Sequence, residues 1–336
     1  TWRRVCAPVR TANATCVPSF ETAGAAATSP SLPFQSSLSA SADGRRLVAA
    51  VANPALSLWY APISDRVIDD SGLEQLSLAT VRAADPRFGP DFLLYRSARG
   101  GPFGLWKLKD GAESELWKGS EGEVAAAPAV SRDGTQVAFV VGTGGRGRLY
   151  ARSSDGRNAP ILAEALDVHD APSWSPDGAW IAVIASAEEA KPLFKVPVGG
   201  GDPVRLAEGI LSSPVWSPDG RFILLSDGAR GGAVVRLRAV TPDGQPFRLP
   251  ELPEVSDLGD RYRFLPDGRS IVIMQGVMWK QNFELLDLTT GARRRLTNLG
   301  PEYNMRSFDV SPDGKRILFD RYRDNSDIVL IDLPPR

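Results

Sequence analysis

The stretch Trp174–Gly178 reads WSPDG, and the same five residues return at Trp216–Gly220. Near-copies VSRDG, FLPDG and VSPDG end at Gly134, Gly268 and Gly314. Proline fixes φ near about −65°, the aspartate accepts a local hydrogen bond, and glycine supplies the positive φ that closes a hairpin. The sequence therefore predicts the same tight turn between two strands at each copy.

The turns recur at a regular spacing, which indicates a repeat architecture. Two more divergent copies, SADG and GPDF, extend the series towards the N-terminus. The turn aspartates are Asp43, Asp91, Asp133, Asp177, Asp219, Asp267 and Asp313. They are separated by 48, 42, 44, 42, 48 and 46 residues. A period in this range is the length of one four-stranded propeller blade.

Each repeat has the same internal order of strand-like segments. An apolar residue such as Trp174 or Trp216 stands three positions before the aspartate, and an apolar run follows the turn. Two more strand-like segments complete the unit. We therefore predict an all-β, seven-bladed β-propeller of four-stranded blades over residues 35–336, with the large aromatic residue packed between neighbouring sheets. A six-bladed ring is the alternative, because the first two copies diverge.

The N-terminal segment, residues 1–34, is expected to close the ring. The last unit ends at DIVLIDL without a further strand, and TWRRV at the N-terminus is similar to a strand of the sixth unit. An outer strand from the beginning of the chain would complete the last blade and protect its edge. The only cysteines, Cys6 and Cys16, flank a polar stretch that could turn back and form a disulfide. The disulfide would imply an oxidising compartment, whereas two unrelated free thiols are the alternative.

Composition argues against several classes of partner. The formal net charge is −1, so no overall positive field attracts nucleic acid, and no apolar run is long enough to span a membrane. One histidine and two cysteines make a metal site or a bound cofactor unexpected. A group of oxygen ligands could hold calcium, but its spacing does not fit an EF-hand and a solvated hairpin turn is preferred. This group is Asp320, Asp324, Asn325 and Asp327.

The repeated unit, WSPDG followed by an apolar strand and by segments such as LLDLTTGARRRLT, resembles the TolB-type propeller repeat, a bacterial relative of WD repeats. The resemblance covers roughly residues 35–336. Such propellers form extracytoplasmic C-terminal regions of winged-helix regulators and Ser/Thr kinases, and a related one gates prolyl oligopeptidases. The resemblance implies a periplasmic or extracellular location in a bacterium, and it leaves the function open because one fold serves many functions.

Catalytic signatures are absent from the sequence. There is no G-x-S-x-G motif, and GTGGRG at Gly142–Gly147 lacks the Lys-Ser/Thr ending of a phosphate-binding loop. Loops before the innermost strands should ring one mouth of the central channel, where mixed charges could recognise a peptide or a small polar ligand. The alternative for each residue is that it lies in an ordinary solvated loop and binds no ligand. The candidate residues are Arg82, Asp85, Glu123, His169, Asp170, Ser213, Asp260, Arg261, Tyr303, Asn304 and Arg306.

These observations favour a non-enzymatic module that binds a protein or peptide, as an extracytoplasmic sensor or as part of a signalling or envelope assembly. Two alternatives remain open. One is a structural subunit of an oligomeric envelope complex. The other is a propeller hydrolase or lyase that uses His169 or Asp260 at the channel mouth.

Overall fold

The computed structural model describes nine stretches of the chain. They are residues 35–41, 46–52, 55–79, 82–99, 101–157, 160–228, 234–256, 260–323 and 326–332. These residues form β-strands and two single-turn 3-10 helices, Asp70–Gly72 and Gly119–Glu121, with no α-helix among them. The predicted all-β class is therefore confirmed. The chain divides into two compact units, Thr1–Ala55 with Asp324–Arg336 and Leu56–Arg323.

We number the strands β1 to β29 along the chain. The described residues of the smaller unit contain one antiparallel sheet of three strands. They are β1 (Gln35–Ala40), β2 (Arg46–Ala52) and β29 (Ser326–Asp332), and β2 lies in the middle. The pairing of β2 with β29 runs from Arg46 opposite Asp332 to Ala52 opposite Ser326.

The larger unit consists of six sheets, which we call blades 1 to 6. Blade 1 contains β5 (Ala83–Phe88), β6 (Leu93–Ser97), β7 (Gly104–Lys109) and β8 (Ala112–Trp117). Blade 2 contains β10 (Ala129–Val130), β11 (Gln136–Thr143), β12 (Arg146–Ser153) and β13 (Ile161–Leu162), with β9 (Glu123–Val124) paired to β11. Blade 3 contains β14 (Ser173–Trp174), β15 (Trp180–Ile184), β16 (Leu193–Pro197) and β17 (Val204–Ala207).

The remaining three blades follow the same order from the innermost strand outwards. Blade 4 contains β18 (Leu211–Trp216), β19 (Ile223–Asp227), β20 (Val234–Val240) and β21 (Pro246–Phe247), with β22 (Val255–Ser256) paired to β20. Blade 5 contains β23 (Tyr262–Phe264), β24 (Ser270–Gln275), β25 (Asn282–Asp287) and β26 (Arg293–Arg295). Blade 6 contains β27 (Phe308–Val310), β28 (Arg316–Arg323), β3 (Ala55–Pro62) and β4 (Glu74–Gln75).

The ring has six blades, so the seven-bladed prediction is wrong and the six-bladed alternative is correct. The sequence assigned Ala55–Pro62 to a blade built on the Asp43 turn, but this strand pairs with β28 in blade 6. The C-terminal strand Ser326–Asp332, predicted at that place in blade 6, pairs with β2 instead. Apolar alternation identifies a strand but not its partner, which is why the assignment failed. The Asp43 turn and the closing strand predicted in residues 1–34 lie outside the described residues.

The predicted turn chemistry is confirmed at WSPDG of blade 3. The Asp177 carboxylate accepts the hydroxyl of Ser175 at 2.5 Å and the N–H of Ala179 at 3.0 Å. Gly178 has a φ of 71°, which glycine adopts without strain. The Ser175 hydroxyl oxygen also accepts the N–H of Trp180 at 2.9 Å. The turn serines of blades 2, 4 and 6 also donate to the turn aspartate and accept the N–H five residues later. They are Ser131, Ser217 and Ser311.

One apolar cluster fills each interface between neighbouring blades. Strand β15 shows the cause, because its successive side chains point to opposite faces of the sheet. Ile181 packs between blades 2 and 3, whereas Ala182 packs between blades 3 and 4. Trp174 and Trp216 lie in these same two clusters, as predicted for the aromatic residue before the turn. Leu58 of β3 packs with residues of β5 and β6 between blades 6 and 1, which closes the ring.

Candidate functional site

The innermost strands surround a central cavity of about 360 Å³. One residue from each blade lines it at the same place in the repeat, four positions before the turn aspartate. These six residues are Arg87, Ala129, Ser173, Val215, Arg263 and Asp309. The next residue along the strand, such as Trp174, packs in a blade interface because strand side chains alternate in direction. The repeat thus places six equivalent side chains around one axis, but their chemistry differs from blade to blade.

Blades 5, 6 and 1 give the cavity a charged wall centred on Asp260. This residue lies just before β23 and is 6% exposed. Its carboxylate pairs with Arg87 of blade 1 and with Arg263 at 3.0 Å, and it accepts the Ser307 hydroxyl of blade 6 at 2.7 Å. One carboxylate therefore connects three blades of the ring.

The charged groups of this wall satisfy one another. Burial alone would raise the pKa of Asp260, but the neighbouring Arg263 and Arg87 outweigh it and hold the pKa well below its usual range. Asp309 accepts the N–H of Phe88 at 2.8 Å and lies 3.7 Å from Nε of Arg263. Burial dominates there and raises the pKa of Asp309, against the effect of the two arginines. Asp260 consequently stays ionised near neutral pH.

Blades 2, 3 and 4 give the cavity a neutral wall. Ala129, Ser173 and Val215 face it, with two indole rings beside them. Nε1 of Trp174 donates to the carbonyl of Ala129 at 3.3 Å, and the Ser173 hydroxyl accepts the N–H of Trp216 at 3.0 Å. Nε1 of Trp216 is buried and has no hydrogen-bond partner among the described residues. The neutral wall thus consists mainly of apolar surface, with the Ser173 hydroxyl as its polar group.

Two of the predicted channel-mouth residues, Ser213 and Asp260, line this cavity. Asp170 contacts the first of them, because its carboxylate accepts the N–H of Ser213 at 2.5 Å and so links blades 3 and 4. Burial raises the pKa of Asp170. The Ser213 carbonyl accepts the hydroxyl of Tyr262 at 2.5 Å, which links blades 4 and 5.

Asp85 and Arg306, both predicted at the channel mouth, meet through Asp320. The buried Asp320 carboxylate accepts the N–H of Arg306 at 2.7 Å and that of Ser307 at 3.0 Å. It also accepts the N–H of Asp85 at 3.3 Å, and the Asp85 carboxylate pairs with Arg96 at 2.6 Å. Burial, with the charge of Asp85, raises the pKa of Asp320 to about 6. Asp320 thus serves the junction of blades 6 and 1.

None of the remaining predicted residues is among the described residues that line the cavity. They are Arg82, Glu123, His169, Arg261, Tyr303 and Asn304. Nε2 of His169 lies 3.0 Å from the carboxylate of Asp167 in its own loop. Arg321 stacks over the Tyr303 ring at 3.9 Å. Whether any of these residues binds a ligand stays a prediction.

Sequence analysis missed the residues that dominate the charged wall. Arg87, Arg263, Ser307 and Asp309 were not among the candidates, although the repeat contained the signal. Alignment on the turn aspartate places Arg87, Arg263 and Asp309 at one position. The position four residues before the turn aspartate faces the axis in every blade. Polar side chains at this position indicate residues that line a channel.

The acidic group considered for calcium is only partly described. Asp320 is engaged by backbone N–H groups, whereas Asp324 and Asn325 lie outside the described residues. Across the described stretches, no three His, Cys, Asp or Glu residues are grouped so as to hold a metal ion. In the same stretches, no helix has the length and apolar character needed to cross a membrane.

Comparisons with known proteins agree with this architecture. Residues 108–334, about two thirds of the chain, match the family described as TolB beta propeller domain. The structure of a putative TolB from Agrobacterium tumefaciens is 19% identical, with a TM-score of 0.63 over 80% of this chain and 99% of that one.

Two further structures share the fold at low sequence identity. TolB from Acinetobacter baumannii is 14% identical, with a TM-score of 0.52 over 84% of this chain, which spans 65% of that longer protein. Hydrazine synthase from Kuenenia stuttgartiensis is 17% identical, with a TM-score of 0.50 over 72% of this chain and 75% of that chain. At these identities the likeness concerns the fold alone.

Proposed function

The chain belongs to the TolB beta propeller domain family, and from this premise we propose that it is a non-enzymatic module that binds a protein or peptide segment in its central cavity. The observation that carries the proposal is the division of the cavity into a charged wall and a neutral wall. A cavity of about 360 Å³ falls in the range of small-ligand sites, and it can hold a few side chains of a peptide.

The two walls offer what a peptide segment requires. The neutral wall presents Val215 and two indole edges, against which apolar side chains can be buried. The charged wall presents the carboxylates of Asp260 and Asp309, which are already ion-paired but keep further lone pairs that can accept peptide N–H groups.

A binding role accounts for the state of the charged wall better than catalysis does. The hydrogen bonds and ion pairs of Asp260 hold it ionised, so it is a poor proton donor near neutral pH. His169, the residue that a channel-mouth hydrolase or lyase would use, pairs with Asp167 outside the cavity lining. We therefore prefer the binding role to the enzymatic alternative.

We extend the proposal to location and context. The module acts outside the cytoplasm, as a sensor or interaction part of a signalling or envelope assembly. The disulfide predicted between Cys6 and Cys16 would fit this location, because it would need an oxidising compartment. Both cysteines lie outside the described residues. Alkylation of the unreduced protein, followed by intact-mass measurement, should leave both cysteines unlabelled, and labelling of both would count against the disulfide.

The test of binding uses an immobilised array of random synthetic heptapeptides and the fluorescently labelled protein. Val215→Phe fills the neutral wall, and we expect it to lower retention by the best peptides at least about tenfold. Val204→Phe is the matched control, because Val204 lies 42% exposed on the strand β17. This control should bind as the wild type does. Thermal unfolding establishes that both variants are folded.

Two results would overturn the proposal. One is the absence of any retained peptide, and the other is equal retention by wild type and both variants. Mass spectrometry of the retained peptides adds a separate readout, because cleavage that depends on the protein would favour the hydrolase alternative.

A further inference from the structure

The residue immediately before the turn aspartate differs in one blade. In five turns of the ring it is proline, and in blade 2 it is Arg132. The five prolines are Pro90, Pro176, Pro218, Pro266 and Pro312. Pro176, Pro218 and Pro266 line the central cavity together with Arg132. The mouth of the cavity on the turn face is therefore rimmed by prolines with a single guanidinium between them, within the described residues.

Arg132 reaches across this mouth. Its Nη1 donates to the Pro218 carbonyl at 3.3 Å, so the side chain extends from blade 2 to blade 4. The side chain is exposed, and no carboxylate of the described stretches lies within ion-pair distance of it. The neighbouring Asp133 is engaged by Ser131 and Thr135. The guanidinium thus has most of its donors available for a ligand.

The charges inside the cavity leave this guanidinium unmatched. The charged side chains of the lining are Arg87, Arg132 and Arg263 against Asp260 and Asp309, which gives three positive groups and two negative ones. Arg87 and Arg263 are engaged by the two aspartates. The remaining positive charge is at the rim, beside the neutral wall.

We infer that this mouth selects ligands that carry a carboxylate next to an apolar group, with the carboxylate on Arg132 and the apolar group against Val215 and Trp216. Guanidinium and carboxylate form paired hydrogen bonds with matching geometry. An aspartate or glutamate side chain and a free C-terminus supply the same chemistry. The inference rests on the proposed peptide-binding function and adds a charge requirement to it.

Arg132→Pro is a suitable variant, because proline occupies this position in the five other turns of the ring. The substitution removes the charge and keeps the turn. Arg132→Lys keeps the charge but loses the bidentate geometry. Circular dichroism and thermal unfolding verify that both variants are folded.

The experiment uses synthetic heptapeptides of random sequence in three forms. The first has an internal acidic residue and an amidated C-terminus, the second has no acidic residue and a free C-terminus, and the third has neither carboxylate. We expect the wild type to bind peptides of the first or second form at least about tenfold more tightly than Arg132→Pro does, with Arg132→Lys between them. Comparison of the first two forms identifies the source of the carboxylate. The same peptides should bind more weakly at high salt, since the ion pair is exposed.

Equal binding by the wild type and Arg132→Pro to all three forms would overturn this inference and leave the proposed function standing. A preference for the third form would do the same. If no peptide of any form binds either protein, the proposed function fails and this inference fails with it.

Discussion

The turn serine is buried in four blades although its partners are polar. Ser131, Ser175, Ser217 and Ser311 are between 0 and 5% exposed. Each hydroxyl donates to the turn aspartate and accepts the N–H five residues later, so it joins the two strands of the hairpin. Proline, aspartate and glycine set the backbone of the turn, whereas serine fixes it to the strand that follows.

Ser217→Ala tests this role, because Ser217 is fully buried and its hydroxyl accepts the N–H of the buried Phe222. The substitution leaves that N–H without its partner. We expect a loss of about 1–3 kcal/mol in the free energy of unfolding, measured by urea denaturation. Ser114→Ala is the control, since Ser114 is exposed on the outermost strand of blade 1, and it should change this free energy by less than about 0.5 kcal/mol. Equal losses in both variants would contradict the argument.

Asp320 gives a residue-scale prediction on pH. Its pKa is raised to about 6 by burial and by the charge of Asp85, so the folded state disfavours its ionised form. Its contribution to stability is complete below about pH 4, the ordinary pKa of aspartate, and is lost as the pH rises through about 6. In Asp320→Asn the amide oxygen can still accept the N–H groups of Arg306 and Ser307. We expect this variant to gain melting temperature relative to wild type at pH 7.5 and to gain less at pH 4.5.

Differential scanning calorimetry at the two pH values measures this difference. For a domain of this size, each kcal/mol of added stability raises the melting temperature by about 2–4 °C. A difference in melting temperature that does not change between pH 4.5 and 7.5 would show that Asp320 does not carry the effect.

At the scale of the element, strand β3 determines how blade 6 is completed. Leu58 lies on β3, is fully buried and packs against Leu318 of β28 and Tyr95 of blade 1. We expect Leu58→Ala to lower the free energy of unfolding by about 2–5 kcal/mol in urea denaturation, because it leaves a cavity where the ring closes. Val204→Ala, on an exposed outer strand, should lower it by less than about 0.5 kcal/mol. If Leu58→Ala lowers the free energy of unfolding no more than the control does, β3 does not belong to the core of blade 6.

The sequence was sufficient to predict the repeat, the turns and the strands of the described blades. Turn residues and apolar alternation are local signals, and WSPDG carries both of them. It was not sufficient to predict which of two similar strands, Ala55–Pro62 or Ser326–Asp332, pairs with β28. That choice depends on long-range packing, such as the fit of Leu58 between blades 6 and 1. The candidate site was predicted only in part for the same reason. Loop position indicated Asp260 and Ser213, but Arg87 and Ser307, the partners of Asp260, belong to other blades and are far from it in the sequence.

At the scale of the whole molecule, Asp260 connects blades 5, 6 and 1. In Asp260→Asn the buried guanidinium of Arg87 would lose its carboxylate partner, and Arg263 would keep only Asp309, at 3.7 Å. We expect a loss of about 3–5 kcal/mol in the free energy of unfolding, since a buried charge without its partner is costly. Asp227→Asn removes an ion pair with Arg238 at the surface, 3.1 Å long, and should cost at most about 1 kcal/mol. Chemical denaturation of the two variants side by side checks the difference, and similar costs would contradict it.

The pairing of β3 with β28 also sets the order in which the protein can be completed during translation. The ribosome releases β3 before β28, and 253 residues separate Pro62 from Arg316, where its partner strand begins. The nascent chain must therefore keep Leu58 and its apolar neighbours away from other chains until blade 6 has been synthesised. Unpaired strand edges invite aggregation during such a delay. Shielding of the β3 edge until blade 6 is complete would therefore lower the risk of aggregation.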